Sequence, residues 1–159
     1  HPLQVAIKIK LEEMSGEAIS FQGVDGCGAP VHALTLPGLA RLSRTAVLAA
    51  PGSPERIVAD AMRAHPQYVG GTRRDVTHFM TAIPGLLAKD GAFGVYTASF
   101  NDGRAIALKL ESGAESGRNA AMAGLLMYLG VPESAVEIYS AQPVLGGGRV
   151  VGTIYPTLI

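Results

Sequence analysis

Lys89 stands in Leu87-Ala88-Lys89-Asp90-Gly91, at the end of a short apolar run that reads as a strand. A lysine held on a sheet edge can act as a fixed positive charge, or serve as a base where desolvation strips its proton. Gly91, two residues on, lets a ligand approach the backbone closely. The plainer reading is a solvated lysine at a strand end before an Asp-Gly turn. A second group lies in Val24-Asp25-Gly26-Cys27-Gly28-Ala29-Pro30-Val31-His32, where two glycines flank the single cysteine. Cys27 could ligate a metal, but such a site needs two or three partners, and His32 is the only imidazole nearby. A structural thiol and a turn-holding Asp25 are the simpler readings.

The elements that must position these residues follow from periodicity. Residues 3–14 read as an amphipathic helix with Leu3, Ala6, Ile7 and Leu11 on one face, stopped by Ser15-Gly16. Ile19 to Val24 is a short strand entering the glycine-rich turn. Leu36 to Ala49 is helical, with Leu39, Leu42 and Leu48 at core spacing. A further helix starts at Ser53-Pro54, an N-cap followed by proline, with Ile57, Val58, Ala61 and Met62 inward. Tyr68 to Gly71 reads as a loop, and Thr72 with Asp75 as a capping box for the next helix.

Beyond Pro84-Gly85 the period changes from helical to alternating. Leu86 to Ala88, Gly94 to Phe100 and Ala105 to Glu111 form an antiparallel meander, with Asn101-Asp102-Gly103 as its hairpin turn. Ile106, Leu108 and Leu110 face one way, and Ala107, Lys109 and Glu111 the other. A helix from Ala114 to Leu129 covers the meander, and Val136 to Ile159 reads as two short strands around Gly146-Gly147-Gly148. The class is α+β, an antiparallel meander packed with helices, in one domain.

Among 159 residues, 48% are hydrophobic and 16% charged, which excludes a disordered chain. The 13 basic and 13 acidic side chains cancel, leaving no electrostatic footprint for nucleic acid or an anionic membrane. Apolar runs break well before the roughly 20 residues of a spanning helix. Small-molecule chemistry or protein–protein contact is therefore expected. One cysteine permits no internal disulfide and suits a reducing cytoplasm. The chain opens at His1-Pro2 with helical periodicity already running. Upstream sequence is thus expected, and exposure of the surface it would cover leads to an expected homo-oligomer.

A lysine–any–glycine on the first of three antiparallel strands, followed by a helix, resembles the Lys-Thr-Gly box of penicillin-recognising enzymes. Over nearly its whole length the chain resembles the L-asparaginase II family, the rhizobial-type serine asparaginases, whose fold is similar to serine β-lactamases and glutaminases. The resemblance rests on His1-Pro2-Leu3-Gln4, Val24 to Leu34, Ala61 to Pro66, Val69 to Thr72, Leu87 to Val95 and Ala105 to Lys109. It implies the C-terminal portion of such a fold, residues 1–159, with the nucleophile region upstream.

The resemblance also implies hydrolysis of L-asparagine to L-aspartate and ammonia through an acyl-enzyme on a Ser-x-x-Lys serine. No serine in the chain has a lysine three positions later, so the chain alone is expected to be inactive. Lys89 falls on the lysine of the family's second Ser–Lys pair. Its implied role is to steer protons and keep the site positive for an α-carboxylate, with Gly91 beside the substrate. Cys27 falls on a cysteine that, with an upstream Cys-Ser-Gly-Lys segment, can form a zinc site. Asp25 is the implied holder of the substrate's ammonium. The chemistry itself requires no cofactor.

Two departures from the family pattern stand out. Asp90 replaces the usual threonine after the lysine, where it would repel an anionic group and could pair with Lys89. Phe93 stands where an acidic residue is commoner. They leave open a noncatalytic assembly or binding module, or an amidase for glutamine or another small amide. Arg73 and Arg74 read as helix-start charges, one of which could meet a carboxylate.

Overall fold

The computed structural model describes residues 1–157. Its centre is a three-stranded antiparallel sheet, β3 (Leu87–Asp90), β4 (Val95–Ser99) and β5 (Ala105–Lys109), in the order of the chain. Lys89 pairs with Thr97 and Asp90 with Tyr96, while Tyr96 in turn pairs with Leu108. Side chains alternate across a strand, so Lys89 and Asp90 belong to opposite faces of the sheet.

Helices cover both faces. On one lies α2 (Leu36–Leu48), started by Thr35, whose hydroxyl accepts from Gly38 N at 3.0 Å. It is joined to β4 by a buried hydroxyl pair, Ser43 Oγ to Ser99 Oγ at 2.7 Å. On the other face α5 (Asp75–Ala82) and α6 (Glu115–Tyr128) enclose the apolar core. Phe79, Tyr96, Leu86, Met122 and Leu126 are the largest side chains fully shielded there. Removing one such aromatic costs about 3–5 kcal/mol, because transfer energy is lost and a cavity remains. Helices on both sides of a small antiparallel sheet make the chain α+β, as its periodicity indicates.

The flanking elements follow the sequence with some corrections. Helix α1 (Pro2–Ser15) ends at Gly16, whose φ of 67° only glycine adopts freely. Its apolar face is not core, however: Leu3, Val5, Ile7 and Ile9 remain exposed. The same holds for Ile57, Val58 and Leu48. Spacing reports that a face is apolar but not that the chain itself supplies a cover for it. The helix at Ser53-Pro54 forms as expected: α3 (Pro54–Ala64), with the Ser53 hydroxyl accepting from Arg56 N.

Of Tyr68 to Gly71, expected as loop, all but Gly71 lie in a short helix, α4 (Pro66–Gly70), because proline presets the first helical φ. Thr72 is not the cap of α5. Arg74 holds that place, and no side chain caps it. The glycine-rich turn joins β1 (Phe21–Val24) to a strand that was not anticipated, β2 (Pro30–Ala33). Proline tolerates that position because β2 has an unpaired edge. The chain's end forms a hairpin, β6 (Gln142–Gly146) and β7 (Arg149–Ile154), preceded by a helical turn at Glu137–Ser140 rather than by strand. No helix among the described residues is long and apolar enough to cross a membrane.

Candidate functional site

The end of β3 opens into a cavity of about 590 Å³, lined by Lys89, Asp90, Gly91, Phe93, Arg74 and Arg118 among others. Three cations thus gather around one carboxylate. Lys89 is half exposed and donates to the carbonyl of Asp90, with its carboxylate Oδ1 at 3.3 Å. Asp90 itself is buried and receives Arg74 from the start of α5. Arg118 approaches from α6, its Nη1 3.2 Å from Asp90 Oδ2. The expectation that Asp90 could pair with Lys89 matches this geometry, and Arg74 is the helix-start charge that meets a carboxylate.

Electrostatics follow from these neighbours. Burial alone would push the Asp90 carboxyl up, but Lys89, Arg74 and Arg118 together outweigh it and hold the carboxyl below its ordinary range. Asp75, at the first turn of α5, shows the opposite balance. Burial raises its carboxyl above the usual value, and Arg118, 3.5 Å away, only partly offsets that. Its Oδ2 and the Tyr96 hydroxyl are shielded from solvent and have no hydrogen-bond partner among the described residues. Burial, reinforced by the negative charge of Asp75, pushes the Tyr96 hydroxyl far up, so it stays protonated.

The loop after Gly91 is tightly folded. Phe93 is exposed yet has φ 53° and ψ 41°, the left-handed region that side chains other than glycine rarely adopt. Gly94, at φ 76°, sits so close to the next turn that a Cβ there would lie 2.9 Å from Leu110 Cβ and 3.1 Å from Gly113 Cα. Lys109 donates to the Phe93 carbonyl and helps hold the loop. This packing makes Ala92, Phe93 and Gly94 part of the cavity wall.

Lys89 also lines a second, largely apolar groove of about 720 Å³ on the α2 face, with Leu42, Ala46, Met62, Leu87 and Thr97. Its side chain therefore stands at the border of two open spaces. Gly91 lines the first alone.

Asp25 and Cys27 lie elsewhere, at the exposed tip of the β1–β2 hairpin. Asp25 organises the turn: its Oδ1 accepts from Gly26 N at 2.8 Å, and its carbonyl accepts from Gly28 N at 2.8 Å. Cys27 Sγ lies 3.8 Å from Asp25 Oδ2. A thiol and a carboxylate are chemically suited to zinc but amount to half a coordination shell. His32 is set further down the hairpin opposite Gln22, its ring nitrogens shielded and without partners among the described residues. No cluster of three or more metal-ligating side chains occurs among the described residues. Neither Asp25 nor Cys27 lines the cavity that holds Lys89 and Gly91.

Arg118, Asp75 and Glu115 were missed in the sequence. A signal existed: Arg118 interrupts the run of small residues on the face of α6 that carries Met122 and Leu125 to the core. A charge on an otherwise apolar stripe has to find a buried partner.

No curated protein matches the chain. The family model described as L-asparaginase II matches residues 1–156. That match spans the Lys89 cavity, the Cys27 hairpin and every element described above. The chain therefore belongs to the L-asparaginase II family, amidohydrolases named for the hydrolysis of asparagine.

Proposed function

We propose that the intact protein hydrolyses L-asparagine to L-aspartate and ammonia by a Ser–Lys acyl-enzyme route, with residues 1–159 as the C-terminal portion of the catalytic domain. An upstream Ser-x-x-Lys serine attacks the side-chain amide carbon, the C–N bond breaks, and ammonia leaves with a proton. Water then cleaves the ester, releasing aspartate and restoring the serine. The fold of that domain is akin to serine β-lactamases.

The observation that carries this reading is the Lys89–Gly91 strand end, open to a cavity with Arg74 and Arg118 beside it. Lys89 supplies a positive charge for the α-carboxylate and steers protons around a second serine, and Gly91 admits the substrate to the strand backbone. Asp25 holds the substrate's ammonium once the upstream segment brings the hairpin and cavity together. Cys27 and Asp25 contribute two donors to a zinc site completed by other residues. Zinc there would organise the site as a Lewis acid near the substrate. The exposed faces of α1 and α3 support association into a homo-oligomer, and the residue types suit the cytoplasm.

The test is ammonia release from L-asparagine by the intact protein, measured with a rapid first turnover. A burst of ammonia ahead of aspartate marks the acyl-enzyme. Unchanged turnover in Lys89→Ala would remove Lys89 from the mechanism. A second reading is favoured by the engagement of Lys89 with Asp90: a binding module that retains the fold without the chemistry. It predicts asparagine binding, or none, with no ammonia. An amidase for glutamine would instead show release from the longer amide.

A further inference from the structure

We infer that Arg118 is the positioning residue of this site, fixing the Lys89–Gly91 strand end from the face of the sheet opposite the Lys89 side chain. The inference rests on the asparaginase reading for its kinetic arm only.

Arg118 is 4% exposed, the one cation among the buried polar residues described. Its guanidinium lies 5.4 Å from the centre of the Tyr96 ring, the β4 partner of Asp90. From there it makes two contacts with the strand end itself. Nη1 donates to the Gly91 carbonyl at 3.3 Å and faces Asp90 Oδ2 at 3.2 Å. Nη2 is held by Glu115 at 3.1 Å and by Asp75 at 3.5 Å, and both Nε and Nη2 reach Asn119 Oδ1. The planar fork is thus anchored on α5 and α6 at one end and grips β3 at the other.

This grip matters most for Gly91, since Asp90 also has Arg74 and Lys89. The Gly91 N–H is held by Val95 O at 2.9 Å, but the next residues turn away through the left-handed Phe93. Gly91 has no side chain with which to pack. Arg118 supplies the missing contact from below. It does so without reaching the α2 face, to which Leu87, Lys89 and Thr97 contribute. The charged groups around the grip are Asp90 and Lys89 of β3, Asp75 and Arg74 of α5, and Glu115 of α6. Misplacing a reacting group by an ångström from a remote change lowers turnover by about 100-fold. Arg118 therefore governs kcat through the placement of Lys89 and Gly91.

The experiment compares Arg118→Met, Arg118→Lys and the double variant Arg118→Met/Asp90→Asn in the intact protein. Steady-state kinetics on asparagine are measured alongside amide hydrogen exchange of residues 89–95. Expected for Arg118→Met is a fall in kcat of about tenfold or more, with KM raised as Lys89 and Gly91 lose their placement against the substrate. Exchange at Gly91 quickens about tenfold, while the amides of the β4–β5 ladder keep their protection. Arg118→Lys keeps the charge but not the fork, so it recovers kcat only in part. The double variant removes the charge imbalance and shows the same fast exchange and low kcat. If Arg118→Met does not fold, the lysine and double variants decide by the same measures. Wild-type exchange at Gly91 in every folded variant overturns the inference, as does wild-type kcat in an active protein. If the wild type itself releases no ammonia, the asparaginase reading fails and exchange alone decides the role of Arg118.

Discussion

Arg118 Nη1 and Asp90 Oδ2 lie 3.2 Å apart, both residues buried, so a helix and a strand end meet through an ion pair beneath the candidate site. Removing one member of a buried pair costs about 3–5 kcal/mol where the other is left alone. Here Arg118 keeps Asp75 and Glu115. Asp90→Asn should therefore destabilise the protein at neutral pH by less than that. Because the native carboxyl lies below its ordinary range, its contribution is present above about pH 4 and lost as pH falls through the native value. Thermal melts of wild type and Asp90→Asn should differ at pH 7 and converge below about pH 4.

Asp75 titrates with the reverse sign. Its carboxyl is raised by burial, so its contribution falls as pH climbs from the ordinary carboxylate value through the raised one. The stability difference between wild type and Asp75→Asn should shrink or invert over that interval, measured by denaturant titration at several pH values.

Much of this arrangement could be read from residue types alone. The strand lysine, its glycine, the Asp-Gly hairpin and the covering helix all announce themselves through local rules that do not depend on tertiary contacts. The Lys89–Asp90 pairing was legible because the residues are neighbours. The grip of Arg118 on Gly91, Asp90 and Asp75 was not, since they lie 27, 28 and 43 residues away and only the packing of α6 against β3 and α5 joins them. Strand β2 was hidden by its proline, and α4 by turn-forming residues that a proline start converts to helix. The apolar faces of α1 and α3 misled for another reason: periodicity names a sticky face but not what covers it.

Phe93 holds a left-handed backbone while the residue is 81% exposed, so replacing it loses little burial. Asparagine tolerates that conformation better. Phe93→Asn should raise stability by about 0.5–1 kcal/mol, seen as a higher melting temperature. Gly94→Ala should do the reverse, because a Cβ there would meet the Leu110 side chain at 2.9 Å.

The Ser43–Ser99 pair offers a cycle. Either serine changed to alanine leaves a buried hydroxyl without that partner, a cost of about 1–3 kcal/mol. The double variant removes both groups and should cost less than the two singles added. Additive losses in chemical denaturation would show that the hydroxyls do not act together.

Zinc content distinguishes the roles of the hairpin tip. Two donors at the surface should not retain the metal, so residues 1–159 alone should hold no stoichiometric zinc after dialysis. The intact protein should hold it, and Cys27→Ser in that protein should lose it. Equal zinc in both intact forms would exclude Cys27 as a ligand.

Since Lys89 and Asp90 are adjacent on one strand, the sign of charge that each side of the sheet presents depends on the β3–β4 register, with Lys89 opposite Thr97 and Asp90 opposite Tyr96. A slip of one residue would exchange the sides. The ammonium would then turn towards the aromatic core beside a guanidinium already there, and the carboxylate towards the apolar groove. Like charges would meet in the interior, and an anion would face a largely apolar groove. The lysine–aspartate neighbours thus mark the alignment of the strand as well as its chemistry, making misaligned pairings electrostatically self-defeating during folding.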